Sequence, residues 1–178
     1  LGNAPKAIEF YEQALVIARE IGDRGDEGTE LGSLGDAYAD WGDARKAIEF
    51  CEQALVIARE IGDRKGEGIE LGRLGLAYAD LSDMRKAINF YEQALVIARE
   101  IGDKYNEGTW LGNLGNAYVA LGDARKAIEF YEQTLTITRQ IGIRRSEATA
   151  LKNIGDSFLN LEEYKKAKEN HSQSIQVA

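Results

Sequence analysis

A self-similarity forty residues apart constrains this chain more than any local pattern in it. Ala7, Ala47, Ala87, Ala127 and Ala167 occupy equivalent places. The stretch Ala7–Asp23, AIEFYEQALVIAREIGD, returns at Ala47–Asp63 with only Cys51 changed and at Ala87–Asp103 with only Asn89 changed. From Ala127 the copy drifts through Thr134, Thr136, Thr138, Gln140 and Ile143, and the copy beginning at Ala167 is eroded. A period of roughly 20 to 50 residues marks a repeat architecture, in which one supersecondary unit cannot bury its own apolar face and stacks on its neighbours.

Each period holds two helical patterns. In the first, Leu31, Leu34, Tyr38 and Trp41 lie on one stripe of a 3.6-residue helix, repeated by Leu71, Leu74, Tyr78, Leu81 and by Leu111, Leu114, Tyr118, Leu121. In the second, Ala47, Phe50, Cys51, Ala54, Leu55, Ala58 and Ile61 form a wider apolar face, that of the better buried helix. Gly42-Asp43, Ser82-Asp83 and Gly122-Asp123 supply a permissive residue followed by an N-cap, and Gly22, Gly62, Gly102 and Gly142 stand where a helix end takes a left-handed residue. The turns between these signals are short, so successive helices are expected to be antiparallel neighbours. No strand signal interrupts the pattern, and the expectation is an all-α chain of nine helices: an opening helix of the second type from about Pro5 to Ile21, then four pairs.

Charge narrows the partner. With 22 basic and 30 acidic side chains the formal charge is −8, which repels nucleic-acid backbones and anionic membrane surfaces. A single cysteine, Cys51, allows no internal disulfide, which suits a reducing compartment, the cytoplasm by default. No apolar run reaches the ~20 residues of a membrane span and no leader pattern is visible. Because the chain opens at Leu1 inside a repeat, it reads as a piece of a longer protein.

The run Leu31, Leu34-Gly35, Tyr38, Ala47, Cys51, Ala54 resembles the tetratricopeptide pattern of large residue, Leu-Gly, Tyr, Ala, aromatic, Ala. The copies at Leu71 and Leu111 match too, with Tyr91 and Tyr131 restoring the aromatic. Two departures stand out: the family's usual period is about thirty-four residues, and Arg59, Arg99 and Arg139 stand where it usually has proline, so both helices are expected to be longer. Forty-residue repeats ending in ARE-IGD are similar to spindle-orientation adaptors of the Pins type and, more loosely, to kinesin light chains. The resemblance implies a single array over 1–178, with the second helix of a truncated repeat in 1–22, full repeats in 23–62, 63–102 and 103–142, and a last repeat with a polar capping helix in 143–178. It also implies a right-handed superhelix whose first-type helices line a concave groove for a peptide or helix of a partner protein.

Family geometry places in that groove Thr29, Gly32, Asp36 and Ala39 of one repeat and Ile69, Gly72, Leu76 and Ala79 of the next. The later repeats contribute Thr109, Gly112, Asn116 and Val119, then Thr149, Lys152, Asp156 and Leu159. These positions vary amid near-identical cores, as ligand-setting positions do and as an idle surface also does. The lysine and asparagine ladder by which some family members clamp a terminal carboxylate is missing; Asp36, Asp40, Asp80 and Asp156 point to a ligand with basic residues, with Arg73 one residue beyond the line. Glycine at 32, 72 and 112 costs roughly 1 kcal/mol each inside a helix; it serves either a widened groove or close packing against the next repeat. Trp110 either anchors a partner or covers the preceding helix.

Catalysis is not expected. His171 is the sole histidine, Cys51 falls on a core position held by tyrosine elsewhere, no phosphate loop of the GxxxxGK type occurs, and neither metal nor cofactor is implied. Two other roles compete with the scaffold: self-assembly through the open solenoid ends, and control of an enzyme or signalling domain outside these residues. The ends differ, since Lys168, Asn170, His171 and Ser174 make the last helix polar while Phe10 and Ile17 leave the first apolar and inviting self-association.

Overall fold

The structure, a computed structural model, describes residues 4–177. Leu1, Gly2, Asn3 and Ala178, the outermost residues of the array expected over 1–178, lie outside the described residues. Among the described residues there are nine helices and no strand: α1 (Ala4–Ile21), α2 (Arg24–Trp41), α3 (Ala44–Ile61), α4 (Arg64–Asp80), α5 (Met84–Ile101), α6 (Lys104–Ala120), α7 (Ala124–Ile141), α8 (Arg144–Asn160) and α9 (Tyr164–Val177). They fall into two compact units, Leu1–Ile97 and Ala98–Ala178, with the division inside α5.

Local chemistry sets the helix limits. The carboxylates of Asp23, Asp43, Asp63, Asp103 and Asp123 each accept the backbone N–H three residues on, satisfying a donor that the first turn leaves open. Gly22, Gly42, Gly62, Gly102, Gly122 and Gly142 close helices with positive φ, where a Cβ would be strained. Ser82 and Glu162 take the same conformation (φ 60°) without glycine. Ile143 replaces the aspartate before α8, and that helix starts with no side-chain cap.

In the first unit α2 packs between α1 and α3, and α3 packs on α4. In the second, α7 packs between α6 and α8, and α9 closes on α8. Both cores follow one rule. Leu34, Leu74 and Leu114 are wholly buried, and the glycine after each lets a side chain of the next helix lie against bare backbone. Cys51 lies against Gly35, Tyr91 against Gly75, Tyr131 against Gly115 and His171 against Gly155. Beside that contact Tyr38 stacks on Phe50, with ring centroids 5.3 Å apart, and Tyr78 on Phe90 and Tyr118 on Phe130 repeat the arrangement. The ammonium groups of Lys46, Lys86 and Lys126 lie over the three tyrosine rings.

The arginines in place of proline have a structural partner. Arg19, Arg59, Arg99 and Arg139 each reach across the turn to a glutamate eight residues on, Glu27, Glu67, Glu107 and Glu147, at 2.9, 2.8, 3.0 and 2.7 Å. Each arginine is about half exposed, so one such pair contributes little to stability.

Candidate partner-binding pockets

Within each unit two successive first-type helices stand side by side with the second-type helix between them as floor. In the first unit, α2 and α4 flank a cavity of about 270 Å³ above α3, lined by Thr29, Ser33, Lys65, Ile69, Glu70 and Arg73 among others. In the second, α6 and α8 flank one of about 290 Å³ above α7, lined by Tyr105, Thr109, Asn113, Arg145, Thr149 and Asn153 among others. A further hollow of about 350 Å³ includes Asn116, Val119, Asn153 and Asp156.

The residues expected to line a groove are thus partly brought together. Thr29 and Ile69 line the first cavity; Thr109, Gly112, Asn116 and Thr149 line the second; Val119 and Asp156 join Asn116 in the third. Gly32 and Gly72 are buried, Ala39 and Ala79 half-buried, and Leu76, Lys152 and Leu159 are exposed and line none of these three cavities. Missing from the expectation were Ser33, Arg73, Asn113 and Asn153, one residue past the glycine line, and Lys65, Tyr105 and Arg145 near the start of each helix. Their signal was present: position 25/65/105/145 carries Gly, Lys, Tyr and Arg, as variable as any in the repeat. The helices are longer than family spacing implies, so the lining extends one turn towards their N-termini.

The two cavities differ in chemistry. In the first unit Arg73 gives one nitrogen to Asp36, at 2.5 Å, and another to Glu70. Glu70 is buried, its Oε2 has no hydrogen-bond partner, and desolvation pushes its pKa up to about 7 against the pull of Arg73. Burial also pushes the nearby Cys51 thiol up. In the second unit the lining is mostly amide and hydroxyl. Tyr131 donates to Asn116 Oδ1 at 2.7 Å, and burial raises its phenol to about 12. Thr109, Thr134 and Thr149 donate to their own helices. Asn113 and Asn153, both half-buried, have no side-chain hydrogen bond among the described residues. Asp156 is drawn to Lys152 at 2.7 Å and His171 at 3.0 Å, which hold its carboxyl below the usual range although desolvation works the other way.

The alternatives left open for glycine and tryptophan now divide. A methyl at Gly32 would run into Arg73 and, at 2.6 Å, Glu70, so this glycine makes room for the ion pair of the next repeat. A methyl at Gly112 would meet only Thr134, at 3.9 Å, and the glycine lines the cavity. Gly112→Ala is therefore expected to raise stability by about 0.5–1 kcal/mol in urea unfolding, while any ligand that meets bare backbone there binds the variant less well. Trp110 is buried, as are Glu70 and Ala150 at the same repeat position.

Among the described residues no cluster of His, Cys, Asp and Glu could hold a metal ion, and no helix is long and apolar enough to cross a membrane. The model of the tetratricopeptide repeat family matches residues 1–60 and 69–140, and the chain belongs to that family. No curated protein matches it in sequence. Among solved structures it is similar to BtubC (BKLC) from P. vanneervenii, at 22% identity and TM-score 0.90, covering 99% of this chain and 73% of that one. A Podosopora anserina protein described as a kinesin light chain with nearly identical TPR-like repeats matches at 20% identity and TM-score 0.80, covering 99% and 87%. A Rap protein solved in complex with Competence and Sporulation Factor matches at 19% identity and TM-score 0.84; the chain is covered to 99% and spans 49% of that protein. At these identities the likeness is one of fold.

Proposed function

We propose that the chain is a non-catalytic, cytoplasmic scaffold that holds a segment of a partner protein along the cavities between its first-type helices, with 23–62, 63–102 and 103–142 as its full repeats. The observation that carries the reading is the pair Asn113 and Asn153. They hold one repeat position on α6 and α8, line one cavity, and their carboxamides have no hydrogen bond among the described residues. A carboxamide offers a donor and an acceptor together, which matches the N–H and C=O of an extended main chain. The cavity accommodates a few residues of such a strand, and the Rap-type neighbour, which holds a factor in its complex, supports this use of the fold.

Preference for basic ligands rests on the charge of −8 and on the exposed Asp40 and Asp80, since Asp36 and Asp156 already hold Arg73 and Lys152. Screening the chain against a peptide array is expected to return basic segments. Asn113→Ala with Asn153→Ala removes two hydrogen bonds and should weaken the selected peptide roughly tenfold or more, leaving the circular dichroism spectrum unchanged. Undiminished binding by the double variant, or an array dominated by acidic peptides, overturns the proposal.

A further inference from the structure

One repeat position is held in turn by Glu30, Glu70, Trp110 and Ala150. Trp110 and Ala150 are buried there, so the fold does not require a carboxylate, and a buried carboxylate costs stability whenever it is ionised. Glu70 nonetheless lines the cavity of the first unit while only 6% exposed, and nothing among the described residues donates to its Oε2. A buried acceptor without a donor points to a ligand that brings one. The groups around it say which kind. Arg73 donates to Oε1 and also holds Asp36 of α2, so two carboxylates share one guanidinium. The Cys51 thiol of α3 faces the same carboxyl and is only a weak donor. The exposed Asp63 and Lys65, which also line the cavity, offset each other in charge.

We infer that this cavity is a subsite for a lysine side chain of the segment the scaffold holds, with the ammonium seated on Glu70 Oε2 and the methylene stem on an apolar wall. Ala54, Ile57, Ala58, Ile61 and Ile69 supply that wall, and long cationic side chains bury their stems against such surfaces. Arginine fits less well, because a guanidinium pairs best with two carboxylate oxygens and Oε1 already serves Arg73. Oε2 lies beneath the surface, so the ammonium enters as Arg73, whose side chain is 25% exposed, shifts while keeping Asp36. In the second unit Ala150 and Asn153 stand at the places of Glu70 and Arg73, and that cavity has no acid there. The inference rests on the scaffold reading only for the source of the lysine.

The probes are n-butylammonium, uncharged n-butanol and the peptide acetyl-Gly-Gly-Lys-Gly-Gly-amide, titrated into the 178-residue chain and followed through the NMR methyl signals of Ile57 and Ile69. At pH 8 the amine and the peptide are expected to shift both signals saturably, with n-butanol and a norleucine form of the peptide roughly tenfold weaker or more. Glu70→Gln, which keeps the shape, should lose the same factor. Glu52→Gln, which removes a charge from the exposed side of α3, should lose nothing. Amine binding by the parent should also weaken roughly tenfold from pH 8 to pH 5.5, and that by Glu70→Gln should not. The reason is that Glu70 titrates at about 7, while the sole histidine, His171, lies on α9. The inference fails if n-butanol matches the amine, if Glu70→Gln binds equally well, or if no saturable shift occurs at pH 8. An amine that passes these tests beside a peptide that leaves both signals in place upholds the ammonium site and counts against the segment reading.

Discussion

Leu74→Ala is expected to lower the stability of the first unit by about 2–5 kcal/mol, the largest loss foreseen for a single substitution here. Leu74 has no exposed surface, and its neighbours give a cavity little chance to collapse, because Gly75 already brings the α4 backbone against the Tyr91 ring of α5. A Cβ on Gly75 would stand 2.5 Å from two atoms of that ring. Gly75→Ala therefore runs against its own gain in helix propensity and should cost about 1–3 kcal/mol through overpacking. The two neighbouring residues thus fail in opposite senses, one by leaving space and one by filling it. Urea unfolding followed by circular dichroism reads both. Loss below about 1 kcal/mol for Leu74→Ala would show that the α4–α5 contact is looser than the structure has it.

The second large effect depends on pH. Glu70 has a folded pKa of about 7 against an ordinary value of 4.5, because burial outweighs the attraction of Arg73. Arg73 divides its guanidinium between Glu70 and Asp36, and the second Glu70 oxygen has no donor. The folded chain thus holds the proton more tightly than the unfolded one. Below the unfolded pKa both forms are neutral at this site and the full stability is present; between about pH 4.5 and 7 stability falls as pH rises, and above pH 7 the loss is complete. Glu70→Gln keeps the shape without the charge. It should match the parent near pH 5 and exceed it at pH 8 by a few kcal/mol, on the order of 3. Thermal unfolding of both at the two pH values checks this; a constant difference, or a parent favoured at pH 8, would mean that the ion pair outweighs desolvation.

Much of this was legible in the chain because repetition averages out local ambiguity. A stripe such as Leu71, Leu74, Tyr78, Leu81 recurs in register, and caps such as Asp63 and Gly62 fall at each limit, so nine helices follow from the periodic residues alone. Less legible were contacts between elements. The proline-to-arginine departure was visible, but that Arg59 faces Glu67 across a turn depends on how the next helix leaves it. The lining of the cavities extends one residue beyond the glycine line, to Asn113 beside Gly112, because a helix face is fixed by what packs behind it. Trp110 stayed open between two readings for a related reason. It shares a repeat position with Glu30 and Glu70, which reads as solvent-facing, yet the position is interior enough to bury Glu70 and to raise the pKa of Glu30 by desolvation. The polar residues of α9 were legible, but their contacts were not: Ser174 donates to the Ala148 carbonyl at 2.8 Å and Arg144 to that of Val177 at 3.2 Å.

The two tryptophans stand in different units and different media. Trp41, at the end of α2, is 52% exposed; Trp110, inside α6, is 5% exposed. An indole in water emits at longer wavelength than one in an apolar interior, so the native spectrum is a sum of a red and a blue component, one from each unit. On denaturation the Trp110 component moves far and the Trp41 component hardly at all, so a change in emission wavelength reports the second unit. The first is followed through Trp41 by the loss of its stacking with Tyr38, 6.1 Å away between ring centroids. The chain therefore carries a built-in optical pair, and Trp41→Phe and Trp110→Phe variants separate the melting of one unit from that of the other without any added label.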